Sequence, residues 1–170
     1  MGLFSDVTIE QVQKVLLDYQ SRTSVNLARI LLHNFWKCTP ECIPAGENYI
    51  SDIRGTTAGV VIGDRAFRQR KVSDYYYDLG SAWRKMTNLP FVFAAWVANK
   101  PLDAEFLNTF NQANAFGIES IDEVIKENPY DLYDLSKYFR ENISYDLSAD
   151  KRKGLEVFLG MLQQQGTVPH

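Results

Sequence analysis

A cluster of hydroxyl and guanidinium side chains stands at residues 21–24, where the sequence reads Ser-Arg-Thr-Ser. It follows a short apolar run, Val15 to Leu17, and precedes an amphipathic pattern that extends to Phe35. A strand, a turn and a helix in this order bring side-chain hydroxyls, a guanidinium and the free N–H groups of a helix N-terminus to one place. Such a turn is suited to receiving a carboxylate or a phosphate.

The same turn also fits a purely structural role. Serine and threonine are preferred helix N-caps, so Ser21 or Thr23 would cap the helix whether or not a ligand binds. Arg22 would then point into solvent, as an arginine in a turn usually does. Both roles stay open, because the groups that cap a helix are also groups that bind an anion.

A second candidate is Gly63-Asp64, which follows the apolar, β-branched run 58–62. This run is typical of a strand that is buried on both faces of a parallel sheet. If it lies beside the strand at 15–19 and parallel to it, Asp64 and the 21–24 turn share the edge where open α/β sheets bind ligands. The alternative role for Asp64 is again an N-cap.

These residues require an α/β framework, and the pattern of the chain predicts one. We predict one helical turn at most in 6–13, helical turns near 49–53, and a mainly helical chain from residue 103. The expected domains are an α/β lobe at 1–88 and, at 89–170, a crossover strand followed by a helical return to a second lobe. The predicted strands are 15–19, 41–45, 58–62, 75–77 and 91–97. The predicted helices are 25–35, 65–70, 80–86, 103–116, 118–127, 131–141 and 148–164.

Composition narrows the class of protein. The chain has 170 residues, of which 45% are hydrophobic and 23% charged, and a net charge of -3, as in ordinary soluble globular proteins. Its basic residues are mostly dispersed, which argues against nucleic-acid binding. The most apolar segment, 89–98, is too short to span a bilayer, and the N-terminus lacks the basic and apolar regions of a signal peptide. We therefore expect a cytoplasmic protein.

The cysteines do not indicate a metal site. Cys38 and Cys42 form a C-x3-C pair with no second Cys or His pair nearby, since the histidines are His33 and His170. Zinc sites draw on four ligands, so we expect two reduced, structural thiols and no metal.

Three blocks of sequence carry a resemblance to a known family. DYQSRTSVNLARILL (18–32), GTTAGVVIGDRAF (55–67) and YDLGSAWRKMTNLPFVFAAWVA (77–98) closely resemble, in this order and spacing, the chorismate dehydratases of the futalosine route to menaquinone. The resemblance implies a type II periplasmic-binding-protein-like fold, with the ligand between two α/β lobes. It also implies dehydration of chorismate to 3-[(1-carboxyvinyl)oxy]benzoate without a metal or redox cofactor.

The resemblance assigns roles to the residues already singled out. Ser21, Arg22, Thr23 and Ser24 match the hydroxyl-rich turn that contacts substrate carboxylates, and Gly63-Asp64 matches a Gly-Asp pair at a strand end. Asp64 is the candidate proton acceptor, with water or the substrate's own carboxylate as alternatives. A sister enzyme that forms dihydroxynaphthoate resembles this family but carries a histidine base near position 63, where this chain has glycine.

One departure from the family bears on activity. The resemblance begins at the family's second lobe, so the first part of lobe one is expected to be missing, and 1–170 alone is expected to be weak or inactive. The uncovered apolar surface would favour a homodimer or a partner segment. A non-catalytic binding protein for small carboxylates is the alternative, because a fold does not fix a chemistry.

Overall fold

The computed structural model describes residues 1–164. The chain divides into two compact units, which are Met1–Phe93 together with the segment that begins at Leu147, and Ala94–Asp146. We refer to them as the sheet unit and the helical unit. The mixed α/β class predicted from the sequence is confirmed by the five-stranded sheet and its helices.

The strands and helices have these bounds. The strands are β1 (Gly2–Ser5), β2 (Lys14–Leu17), β3 (Glu41–Pro44), β4 (Thr57–Val61) and β5 (Tyr75–Asp78). The helices are α1 (Arg22–Asn34), α2 (Asp64–Gln69), α3 (Leu79–Thr87), α4 (Ala104–Glu119), α5 (Ile121–Glu127), α6 (Leu135–Lys137) and α7 (Ala149–Gln164). Two 3₁₀ turns, Ile9–Gln11 and Tyr49–Asp52, and a π-helical turn, Tyr138–Asn142, complete the described structure.

The strand order across the sheet is β3-β2-β4-β1-β5. β2 runs parallel to β3 and to β4, with Leu16 opposite Gly59, while β1 runs antiparallel to β4 and β5. The predicted parallel pairing of the strands that precede the two candidate turns is therefore confirmed. As a result, the carboxyl ends of β2 and β4 lie at the same edge of the sheet.

Apolar side chains fill both faces of this sheet. One face carries Leu3, Val15 and Val60, which pack with α1, α3 and α7 in the larger core. The other face carries Phe4 and Val61, which pack with the Tyr49–Asp52 turn and α2. Because successive residues of a strand point to opposite faces, neighbouring apolar residues serve different cores. This explains why the strands read as continuous apolar runs.

The strand β1, which lies between β4 and β5, was not predicted. Its four residues are all buried, but a stretch so short gives no measurable periodicity. Gly2 permits a close approach to β5, since a Cβ there would lie 2.3 Å from Cε2 of Tyr76. The lead-in at 6–13 does contain a single helical turn, Ile9–Gln11, as expected.

The predicted strand at 91–97 is wrong. The segment contains no strand, and no described residue forms a ladder with it. Trp96 is 81% exposed and Val97 is 80% exposed. The apolar run met the compositional criterion for a buried strand, but a strand also needs a neighbouring edge to accept its backbone hydrogen bonds.

The helical unit contains α4, α5, α6 and the π-helical turn. The predicted helix at 131–141 forms only as α6 followed by the π-helical turn, and the predicted helix at 118–127 begins at Ile121. The apolar side chains of α5 are only partly buried, because Ile121 is buried while Val124 is 42% exposed. In α7, which belongs to the sheet unit, Phe158 and Leu162 are buried, whereas Leu159 is 46% exposed.

Candidate functional site

The turn after β2 is organised by Ser21 and Ser24. Ser21 is the N-cap of α1, and its Oγ accepts a hydrogen bond from the backbone N–H of Ser24 at 3.1 Å. The two hydroxyls are 2.8 Å apart, and the Ser24 hydroxyl also donates to the sulfur of Met1 at 3.0 Å. The predicted cap at Ser21 is therefore confirmed. Because Ser24 is fully buried, its side chain stabilises the turn from the interior.

The other two residues of the turn are more open. Arg22 is exposed and Thr23 is half-buried. Neither side chain has a hydrogen-bond or ionic partner among residues 1–164. Arg22 therefore points into solvent, as in the structural alternative, and both side chains are available to a ligand.

The second candidate lies at the neighbouring strand end. Gly63 follows β4 with φ 63° and ψ -153°, a backbone conformation that is essentially restricted to glycine. Gly63, not Asp64, is the N-cap of α2, so the alternative role of Asp64 as an N-cap is wrong. Asp64 is the first residue of the helix, and its exposed carboxylate has no partner in the described part of the chain.

A buried network joins these two strand ends, and it was missed in the sequence. The Asp18 side chain is completely buried and accepts hydrogen bonds from the backbone N–H of Gln20 at 2.8 Å, from Tyr49 Oη at 2.9 Å and from Arg65 Nη2 at 2.7 Å. Arg65 Nη2 also donates to Gln20 Oε1 at 2.8 Å. Asp18 directly follows β2, just as Asp64 closely follows β4, and this repetition was the available signal.

The network perturbs the phenol of Tyr49. Burial and, next, the hydrogen bond to Asp18 raise the pKa of Tyr49 far above its usual value. The phenol is therefore a permanent hydrogen-bond donor and has no acid–base role near neutral pH. Its hydroxyl also lies within hydrogen-bond distance of the carbonyl oxygen of Val60, which ties β4 to the Tyr49–Asp52 turn.

A third carboxylate stands at the end of β5. Asp78 caps α3 by accepting from the backbone N–H of Ser81 at 2.7 Å, and its other oxygen accepts from Tyr76 Oη at 2.9 Å. β5 is parallel to β4, because both pair antiparallel with β1. Asp18, Asp64 and Asp78 thus mark one polar edge of the sheet, which we call the rim.

The grooves and cysteines lie away from the rim. Two shallow grooves flank the loop that leads into β3, and both include Cys38, Thr39 and Pro40. Cys38 and Cys42 are free thiols, and burial raises the pKa of each, which lowers their reactivity.

The described residues form neither a cluster of metal ligands nor a membrane-spanning helix. No three His, Cys, Asp or Glu side chains within residues 1–164 are grouped as a metal site would require. None of the helices in this range has the length and apolar character needed to cross a bilayer.

The fold and the rim together define an α/β protein whose polar residues follow parallel strands. The chain belongs to the menaquinone biosynthesis family, whose model matches residues 1–164. It is also similar to a chorismate dehydratase from Campylobacter jejuni subsp. jejuni serotype O:23/36 (strain 81-176), with 28% identity over 119 residues. The match covers 68% of this chain and 53% of the relative, so the chain spans about half the length of that enzyme.

Proposed function

We propose that this protein takes part in the dehydration of chorismate to 3-[(1-carboxyvinyl)oxy]benzoate, as a cytoplasmic, periplasmic-binding-protein-like hydro-lyase of menaquinone biosynthesis. The family match over residues 1–164 is the observation that carries the proposal. The named relative supports the reaction, and the exposed guanidinium of Arg22 beside Thr23 supports a carboxylate substrate.

Chorismate is a dianion, so its site must anchor two carboxylates and leave a basic group near the ring. The exposed guanidinium of Arg22 and the half-buried hydroxyl of Thr23 suit a carboxylate, and both lie in the turn that Ser21 and Ser24 hold. Gly63 brings the backbone to the rim without a side chain. We assign these residues to substrate binding, with Ser24 acting from within the turn.

The reaction takes a proton from C3 of the ring and the hydroxyl from C4. The base that accepts the C3 proton passes it to the departing C4 oxygen, so that water is lost overall. The electron pair of the broken C3–H bond forms the new ring double bond, and aromatisation favours the product. Asp64 is the proposed proton acceptor, because its carboxylate is exposed at the rim and has no partner among residues 1–164. Binding that tightens as charge develops on the departing oxygen would accelerate the step.

The two alternative functions differ in their support. A non-catalytic binder of small carboxylates with the same fold is one alternative, because a fold does not fix a chemistry. The dihydroxynaphthoate-forming sister enzyme is less well supported, since Gly63 adopts a conformation in which the histidine of that resemblance would be strained.

The test is to incubate purified 1–170 with chorismate and to measure both binding, by calorimetry, and aromatic product, by chromatography. We expect measurable binding and slow product formation that Asp64→Asn abolishes without loss of binding. Binding without product in either protein would favour the non-catalytic alternative. Absence of both binding and product would overturn the proposal for this chain.

A further inference from the structure

Arg65 connects the carboxyl ends of β2 and β4 at the rim. It is the second residue of α2, and its side chain reaches the turn that follows β2. There its Nη2 donates to Asp18 Oδ2 and Gln20 Oε1, at 2.7 and 2.8 Å. Its Cζ lies 5.7 Å from the ring centroid of Tyr19, so three consecutive residues of one turn hold the guanidinium.

The orientation of this guanidinium is fixed by a buried anchor. Asp18 is completely buried and is itself held by Tyr49 and by the N–H of Gln20. A guanidinium is planar, so two hydrogen bonds from Nη2 and the stacking on Tyr19 determine where its remaining N–H groups point. Arg65 therefore differs from Arg22, whose exposed side chain nothing in residues 1–164 holds in place.

Most of the donors of Arg65 are unused. A guanidinium has five N–H donors, of which the two on Nη2 are engaged. No described residue of the chain accepts from its Nε or Nη1, and the side chain is 30% exposed. Three donors of this partly exposed side chain thus have no acceptor within residues 1–164, next to Gly63 and Asp64 in the sequence.

The position of Arg65 is also electrostatically unfavourable for a helix. A cation in the first turn of α2 opposes the helix dipole, and the pairing with Asp18 and Gln20 leaves three guanidinium donors without an acceptor in residues 1–164. A carboxylate ligand would use those donors and would add a second anion beside the guanidinium.

We propose that Arg65 is a carboxylate-binding residue of the rim and anchors one of the two carboxylates of an aromatic dicarboxylate ligand. For the identity of the ligand, this inference rests on the proposed function. Arg65 is then preorganised by Asp18, Gln20 and Tyr19, which act as positioning residues.

The test compares two probes on the 170-residue chain. Isophthalate carries two carboxylates and benzoate carries one, and the affinity of each is measured by calorimetry for wild type, Arg65→Gln and Arg65→Lys. The matched control is Arg68→Gln, which removes an exposed arginine of the same helix that has no side-chain partner in residues 1–164.

We expect Arg65→Gln to weaken isophthalate binding about tenfold or more and benzoate binding much less, because one charge-assisted contact is lost. Arg65→Lys should keep the pairing with Asp18 but lose the oriented donors, so its isophthalate affinity should also fall. Arg68→Gln should bind as wild type does. If Arg65 only stabilises the fold, Arg65→Gln should weaken the binding of both probes equally, and that result would overturn the inference. Wild-type affinity in both Arg65 variants would overturn it as well.

The outcomes separate this inference from the proposed function. Arg65-dependent isophthalate binding by a chain that neither binds nor converts chorismate would overturn the proposed function and leave the carboxylate site in place. Chorismate binding that is unchanged in both Arg65 variants would overturn only the role of Arg65. Failure of the wild type to bind any dicarboxylate would overturn both.

Discussion

Both the sheet unit and the helical unit contain large apolar side chains, but the sheet unit buries them and the helical unit leaves most of them exposed. The sheet unit completely buries Leu3, Val15, Leu27 and Trp83, whereas Ile121 is the one buried side chain of residues 94–146. In the helical unit, α4 buries none of its residues, and Trp96 and Phe116 are 81% and 70% exposed. In this chain, apolar side chains form a core where the sheet offers faces for helices to cover.

A pair of tryptophan truncations gives the largest expected contrast. Trp83 is completely buried and contacts Phe91 and Phe158 with ring centroids 5.3 and 6.0 Å away. Trp83→Ala should lower the free energy of unfolding by about 3–5 kcal/mol, because it opens a cavity in the core. Trp96→Ala should change it by less than about 0.5 kcal/mol. Urea denaturation followed by far-UV circular dichroism measures both.

The Trp96 variant also tests the proposed association. If Trp96→Ala lowers stability as much as Trp83→Ala does, and the loss depends on protein concentration, then a second copy covers the helical unit in solution. Equal, concentration-independent losses would instead show that the two units do not differ in packing as described.

Two glycines of α7 provide a second contrast. A Cβ at Gly154 would lie 2.2 Å from the carbonyl oxygen of Pro90, whereas a Cβ at Gly160 would meet no atom of residues 1–164 within 4 Å. Gly154→Ala should therefore destabilise the sheet unit by about 1–3 kcal/mol. Gly160→Ala should stabilise the protein by about 0.5–1 kcal/mol, because alanine favours a helix.

Thermal unfolding of the two glycine variants separates these effects. Since both substitutions raise the helix propensity of the same helix equally, their difference isolates the contact with Pro90. Similar melting temperatures would show that α7 can move away from residue 90 at little cost.

The sequence predicted four of the five strands of the sheet unit and, in the helical unit, the positions of α4 and α5. The strands at 14–17 and 57–61 were found because their apolar runs match their burial, whereas the strands at 41–44 and 75–78 are partly exposed. The segment 91–97 is also apolar but has no partner strand within residues 1–164, and partners cannot be read from a local pattern. β1 was missed because its four residues are too short to show a pattern, although it pairs with both β4 and β5.

The sequence predicted the two turns of the candidate site but not the hydrogen bonds that connect them. Ser21 and Gly63 stand at the turns that spacing and resemblance indicated. The link between Asp18 and Arg65 spans 47 positions and depends on the register of β2 with β4. Ligand contacts of the six predicted residues stay a prediction.

Removal of the buried phenol tests the connection between the strand ends. Tyr49→Phe leaves the buried Asp18 carboxylate without one donor and should cost about 2 kcal/mol at neutral pH. Tyr19→Phe is the control, because that phenol is half-exposed and only accepts from the side chain of its neighbour Gln20. Denaturation at pH 7 should leave the control within about 0.5 kcal/mol of wild type.

The same pair predicts a pH dependence. Burial raises the pKa of Tyr49 above its usual value of 10.0, so the unfolded chain loses this proton first as the pH rises. The contribution of Tyr49 to stability is therefore complete below about pH 10 and declines above it. Tyr49→Phe should show a shallower loss of stability between pH 9 and 11 than Tyr19→Phe. Identical slopes would mean that the phenol is not buried in solution.

Helix caps give the smallest effect and compare the two units most directly. Asp78 caps α3 in the sheet unit and Asp103 caps α4 in the helical unit, each with an Oδ1 2.7 Å from the backbone nitrogen three residues on. Asp103→Ala should cost about 1 kcal/mol, and Asp103→Ser, which restores a cap, should recover most of it. Because α4 buries no side chain, the loss should appear as faster hydrogen exchange within α4 and leave the amides of α1 unchanged. Asp78→Ala should accelerate exchange throughout the sheet unit, since α3 carries the buried Trp83. If Asp103→Ala accelerates exchange in α1 as well, the two units unfold as one cooperative structure, and the contrast in their packing does not extend to their stability.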